Sequence, residues 1–119
     1  MRILRSILLG LLILLVVAVA GFAIWGLTPS QPMPEALAAA QSDSVVKVEN
    51  AGWLEFSPTA LPPTTGFIFY PGGHVDYRAY APLARAIAER GYLVALQPMP
   101  LSLAVLSPSA AKAVIAAHP

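Results

Sequence analysis

From Ile7 to Leu27 every residue is apolar or glycine. The pattern then breaks over a proline-rich stretch, alternates strictly from Val46, and ends in short apolar runs around an amphipathic helix. At ~1.5 Å rise per residue, Ile7–Leu27 as a helix reaches about 31 Å, one hydrocarbon core. Thr28 to Pro34 carries prolines at 29, 32 and 34 and predicts a linker. Glu35–Gln41 is alanine-rich and predicts a short helix. Val46 and Val48 then alternate with Lys47 and Glu49, the period-2 mark of a half-buried strand. Asn50-Ala51-Gly52 is a turn signal and Trp53–Phe56 alternates again, so the two runs predict a β-hairpin in which Trp53 and Phe56 serve packing.

Gly66–Tyr70 has no charged residue and predicts a strand covered on both faces, as in a parallel sheet. It breaks into Pro71-Gly72-Gly73-His74, after which Asp76 is positioned to cap a helix. Tyr80, Leu83, Ala84, Ile87 and Ala88 fall on one helical face, with Arg78, Arg85, Glu89 and Arg90 away from it. Pro82 is tolerated in the first turn, and Gly91 stands where a left-handed C-terminal cap belongs. Tyr92–Leu96 is a second apolar strand, so Gly66–Gln97 has the length of a βαβ unit with parallel strands. Ser107-Pro108 reads as N-cap and first position of a last helix, Ser109–Ala117, ended by His118-Pro119.

Composition separates an anchor from a domain. The chain is 57% hydrophobic and 11% charged over 119 residues, far more apolar than an ordinary soluble domain. The net charge is +1, and from Thr28 onward five basic residues face six acidic ones. That balance excludes a phosphate-neutralising surface, so no nucleic acid is expected as a partner. There are no cysteines, hence no disulfide and no thiolate metal site. Arg2 and Arg5 precede the apolar run and the next basic residue is Lys47. The positive-inside rule then keeps the N-terminus cytoplasmic and exports the remainder, with Trp25 suited to the far interface. A cleaved signal peptide is the competing reading, because Ala18-Val19-Ala20 precedes Gly21, but apolar sequence continues past that point.

The Pro71-Gly72-Gly73-His74 turn follows the C-terminal end of a predicted parallel strand, where open α/β sheets place ligands. Backbone N–H groups of Gly72, Gly73 and His74 are candidates for an oxyanion hole; the plain alternative is a tight strand-to-helix turn. The glycines match neither a dinucleotide fingerprint nor a P-loop, and no cofactor is implied. A dinucleotide-binding reading also lacks an acid at the end of the second strand, where Gln97 and Pro98 stand. His74 and Asp76 suit loop and cap roles better than a catalytic pair. His74 and His118 are too few and too separate for a zinc site. No serine is flanked as Gly-x-Ser-x-Gly.

The phrase Phe69-Tyr70-Pro71-Gly72-Gly73, followed by Tyr80-Ala81-Pro82-Leu83-Ala84 and then by a strand and a Pro-Met-Pro loop, resembles the N-terminal half of an α/β-hydrolase. It is similar in particular to the dienelactone-hydrolase-like, membrane-anchored bacterial branch, over about residues 44–119. The resemblance implies a Ser-His-Asp/Glu esterase whose nucleophile elbow follows the helix ending near His118, with one oxyanion N–H in the Gly72–His74 turn. Pro71 stands where many members carry His.

The expectation is therefore an α/β fold: a partial α/β-hydrolase sheet, antiparallel hairpin plus parallel βαβ, behind a single transmembrane helix. Residues 1–27 are the anchor, 28–43 the linker and 44–119 a truncated hydrolase domain. The implied partners are the bilayer, through residues 7–27, and in the parent enzyme a small ester-like substrate. The chain by itself is expected to be inactive, with the last strand, Leu93–Leu96, as an unpaired apolar edge. The rival expectation is a non-catalytic, membrane-tethered binding module or decayed hydrolase.

Overall fold

The computed structural model describes all residues from Met1 to Pro119. A helix α1, Arg2–Gly26, projects from a small α/β body and gives the molecule a 74 Å long axis. It is long and apolar enough to cross a membrane, and Gly26 is its one buried residue. After a short helix α2, Pro34–Ala39, come strands β1, Val46–Asn50, β2, Leu54–Pro58, and β3, Gly66–Phe69. A 3₁₀ turn, Tyr77–Tyr80, leads into helix α3, Ala81–Ala88, then strand β4, Leu93–Leu96, two further 3₁₀ turns and helix α4, Ala111–Ala117.

The four strands form one sheet in the order β1-β2-β4-β3. The hairpin forms as expected, with Asn50 opposite Leu54 and Gly52 at φ +91°, a conformation that side chains disfavour. β3 and β4 pair in parallel, Gly66 opposite Leu93 and Phe69 opposite Leu96, which makes β3-α3-β4 the expected βαβ unit. β2 adds to the other side of β4 in antiparallel register. This order overturns the expectation that Leu93–Leu96 is the unpaired edge. β4 is interior and buried along its whole length, while β3 is one of the sheet's two edges, β1 being the other. It also overturns the expectation of a strand covered on both faces at Gly66–Tyr70, since Gly66 and Phe67 are exposed.

Two small cores lie on the two faces. On one, Ala81, Ala84 and Ala88 of α3 bring that helix close to Val46, Phe56, Val94 and Leu96. The side chains are small, so the helix backbone approaches the sheet closely. Tyr80 and Ile87 flank this core as the helical pattern predicts, but Leu83 turns outward at 47% exposure. On the other face Trp53, Ala95 and Val114 meet, with Ile68 beside them. Trp53 and Phe56 therefore do not pack on each other; three residues apart on a strand path, they serve opposite faces.

Caps explain the helix ends. Gly91 adopts φ +96° after α3, as expected. Asp76 accepts a hydrogen bond from the Arg78 N–H at 2.9 Å and caps the 3₁₀ turn. Ser107 does not cap α4. Tyr70 does so from the end of β3: its hydroxyl accepts from the Ala111 N–H at 2.7 Å and donates to the Pro108 carbonyl at 3.0 Å. Arg85, expected on the solvent face, is largely covered. Its guanidinium donates to the carbonyls of Ala39 and Gln41 and pairs with Asp43 at 2.7 Å, pinning the segment before β1 onto α3.

Candidate functional site

β3 carries the chain to buried Pro71, where the ring stops the ladder and the next residues swing out as Gly72-Gly73-His74. What happens at each N–H decides what this turn can bind. The Gly72 N–H donates to the Tyr80 hydroxyl at 3.0 Å, an oxygen brought there by the 3₁₀ turn. A Cβ at Gly72 would stand 2.9 Å from that oxygen, so a larger residue here would push the Tyr80 hydroxyl aside. The His74 N–H donates to the Ser102 carbonyl at 2.8 Å. The Gly73 N–H has no acceptor within the protein. Both glycines are exposed, and a Cβ at Gly73 would meet only Leu103 at an ordinary 3.7 Å. Of the three sequence candidates, one presents a free donor and two are engaged in holding the turn's shape.

His74 lies at φ +58°, a left-handed conformation that is uncommon for a side-chain-bearing residue. Its ring stacks on the Trp25 indole, with centroids 4.1 Å apart and planes 4° from parallel. Its Nε2 sits 2.7 Å from the Trp25 carbonyl oxygen. A carbonyl only accepts, so Nε2 carries the proton and donates there. His74 is thus committed to the end of α1. Asp76 is committed elsewhere: Arg78 donates to its carboxylate through Nε at 2.9 Å and Nη2 at 2.6 Å. That side-chain pairing holds the Asp76 carboxyl below its ordinary value, and the same contact raises the Arg78 guanidinium. The two neighbours do not form a base–orienter pair.

The residues around the turn come from segments that sequence reading treated as connectors. Ser30 forms a parallel bridge with Val75: its N–H donates to the His74 carbonyl at 3.0 Å and its carbonyl accepts from the Asp76 N–H at 3.1 Å. Leu101 and Ser102 lie at φ +49° and +55°, each costing roughly 1 kcal/mol or more. This strained loop is wedged against Gly26, where an added Cβ would come within 2.7 Å of the Leu101 Cβ. The end of α1, the chain leaving it, the glycine turn and the loop after β4 therefore meet in one cluster.

Beneath it, at the C-terminal end of β4, Gln97 is 4% exposed. Its backbone N–H donates to the Phe69 carbonyl at 3.0 Å, but its side-chain Nε2 has no partner. A buried orphan amide costs stability. The two concave cavities, of about 350 and 490 Å³, lie at the start of β3 beside α4 and between Pro58–Pro62 and Gly91. Both are at the N-terminal ends of the parallel strands, away from the end where such sheets bind ligands. Their position makes them gaps beneath loops and not part of this site.

Residues 66–119 match the family model described as the alpha/beta hydrolase family. The match begins at the first residue of β3 and runs through the glycine turn, α3, β4 and α4, and it supports the α/β-hydrolase superfamily for that part of the chain. No curated protein and no solved structure matches the chain.

Proposed function

We propose that residues 44–119 form the front of a serine hydrolase domain that acts on an ester or similar acyl bond. Within the superfamily, the Phe69–Gly73 phrase and the helix after it favour the dienelactone-hydrolase-like branch. The observation that carries the proposal is the exposed, unengaged Gly73 N–H at the C-terminal end of a parallel strand inside the matched region. Gly73 donates to the developing oxyanion; the Gly72 and His74 N–H groups, already satisfied, shape the turn. The nucleophile elbow comes from a further strand that pairs with the open edge of β3, so the 119 residues alone lack acyl-transfer activity. α1 anchors the protein in the cell membrane, with Arg2 and Arg5 cytoplasmic and the domain outside.

Labelling of native membranes with a fluorophosphonate probe tests this reading. The expected result is a labelled protein that carries this chain at its N-terminus. In it, Gly73→Pro, which removes the N–H, lowers kcat about 10²–10³-fold, and Gly73→Ala, which keeps it, is close to wild type. Ester turnover by the purified 119-residue chain, or equal activity of the two variants, would sink the proposal. The non-catalytic rival is favoured by the internal satisfaction of two of the three donors, and absence of probe labelling in the native protein would select it.

A further inference from the structure

We infer that the loop Met99–Leu106 is a second membrane-contacting element, which seats the Gly72–His74 turn against a lipid bilayer surface. The inference rests on the reading of α1 as a membrane anchor and goes beyond it. The loop is joined to that anchor: Leu101 packs on Gly26, and His74, whose N–H holds the Ser102 carbonyl, stacks on Trp25. A helix that leaves the bilayer at Trp25–Leu27 therefore brings the loop to the headgroup level. What the loop presents there is apolar. Val105 is 79% exposed and Leu106 51%, four and five residues beyond Leu101, and the helix end itself exposes Trp25 at 44% and Leu27 at 71%. No charged residue occurs between Arg90 and Lys112, and none between Arg5 and Glu35, so the two neighbouring segments share one uncharged character.

Exposed aliphatic side chains on this strained loop are unfavourable in water, and moving them into the acyl boundary lowers the free energy. The occupant is the bilayer and not a protein, because Leu101 ties the loop to a helix end that, on the anchor reading, lies at the interface. The candidate oxyanion turn then opens toward lipid, and the substrates it meets are amphiphilic acyl compounds held in the membrane.

The chain has no cysteine, so single cysteines report cleanly. The full chain, with Val105→Cys, Leu106→Cys, Leu14→Cys or Leu61→Cys, is labelled with an environment-sensitive fluorophore and reconstituted in phosphatidylcholine vesicles carrying lipid-bound quenchers. Leu61 is the control: it is equally apolar, 75% exposed, and at the other end of the strands. The expected result is loss of most emission at Leu14 to a deep quencher and at Val105 and Leu106 to a shallow one, with Leu61 unquenched. Quenching at Leu14 while Val105 and Leu106 behave like Leu61 overturns the loop's role and leaves the anchor standing. Quenching at Leu61 as strong as at Val105 also overturns it. No quenching at Leu14 removes the anchor reading, and the inference falls with it.

Discussion

β3 and β4 are both short apolar strands, reading Gly-Phe-Ile-Phe and Leu-Val-Ala-Leu, and they pair with each other in parallel. Yet all four residues of β4 are buried, and none of β3 is. The difference is position in the sheet. β4 is gripped by β2 on one side and β3 on the other, with α3 over Val94 and Leu96 and Val114 over Ala95. β3 has a neighbour on one side only, and its outer backbone groups and Phe67 face open space, with Phe67 edge-on to Tyr92 at 5.4 Å. Apolar content thus reports that a strand belongs in a sheet interior, and strand order decides whether it is there. An apolar strand left at an edge marks a place built to be paired.

The largest loss of stability is expected at β4. Leu96→Ala, at 1% exposure, is expected to cost about 3–4 kcal/mol in denaturant unfolding of the chain in micelles. Phe67→Ala on β3 should cost under about 1 kcal/mol, and equal costs would refute the contrast. At the end of β3, Tyr70→Phe removes both hydrogen bonds to the start of α4, and a loss of about 1–2 kcal/mol with faster amide exchange in Ala111–Ala117 is expected. In the turn beyond, the Arg78 contact gives Asp76 a carboxyl pKa below its ordinary 3.8. Its contribution is therefore present above that value and is lost as pH falls through the folded-state value. Asp76→Asn should lower stability by about 1 kcal/mol at neutral pH and flatten the acid limb of a stability–pH profile. Gln97→Met, which replaces the orphan amide with an apolar group of similar length, should raise the unfolding free energy by about 1 kcal/mol or less. The smallest change in stability is expected for Phe67→Lys, at the open edge itself. It should change unfolding by under about 0.5 kcal/mol yet reduce self-association in light scattering, because charge blunts an open edge.

Local signals were legible. Alternation at Val46–Glu49 and Trp53–Phe56 placed the hairpin, Gly91 ended α3, and Asp76 capped the turn before it. Those features depend on residues within a few positions of each other. What was hidden depends on partners far along the chain. Tyr70 reads as one more apolar strand residue, and its capping of α4 spans 41 positions to Ala111. Ser107 meets the local rule for an N-cap, but the chain turns once more before α4 begins, so the cap comes from elsewhere. Arg85 reads as a solvated charge because its carbonyl partners at Ala39 and Gln41 are invisible until α2 folds back. Of the candidate site, the Gly72-Gly73 turn was legible from Gly-Gly after a strand. That only Gly73 keeps its donor free was not, since Tyr80 and Ser102 reach the turn through tertiary contacts.

Ser30 bears on how far the domain can travel. Its two hydrogen bonds to the strand of backbone at His74–Asp76 leave only Leu27, Thr28 and Pro29 between the last turn of α1 and the body. Three residues fully extended span at most about 10 Å. For a domain tethered in a membrane, that is a leash shorter than the domain is wide. On the proposal that α1 lies in a bilayer, the body would not sample the volume beyond it, its encounters would be two-dimensional, and a target on a facing surface would have to come to it.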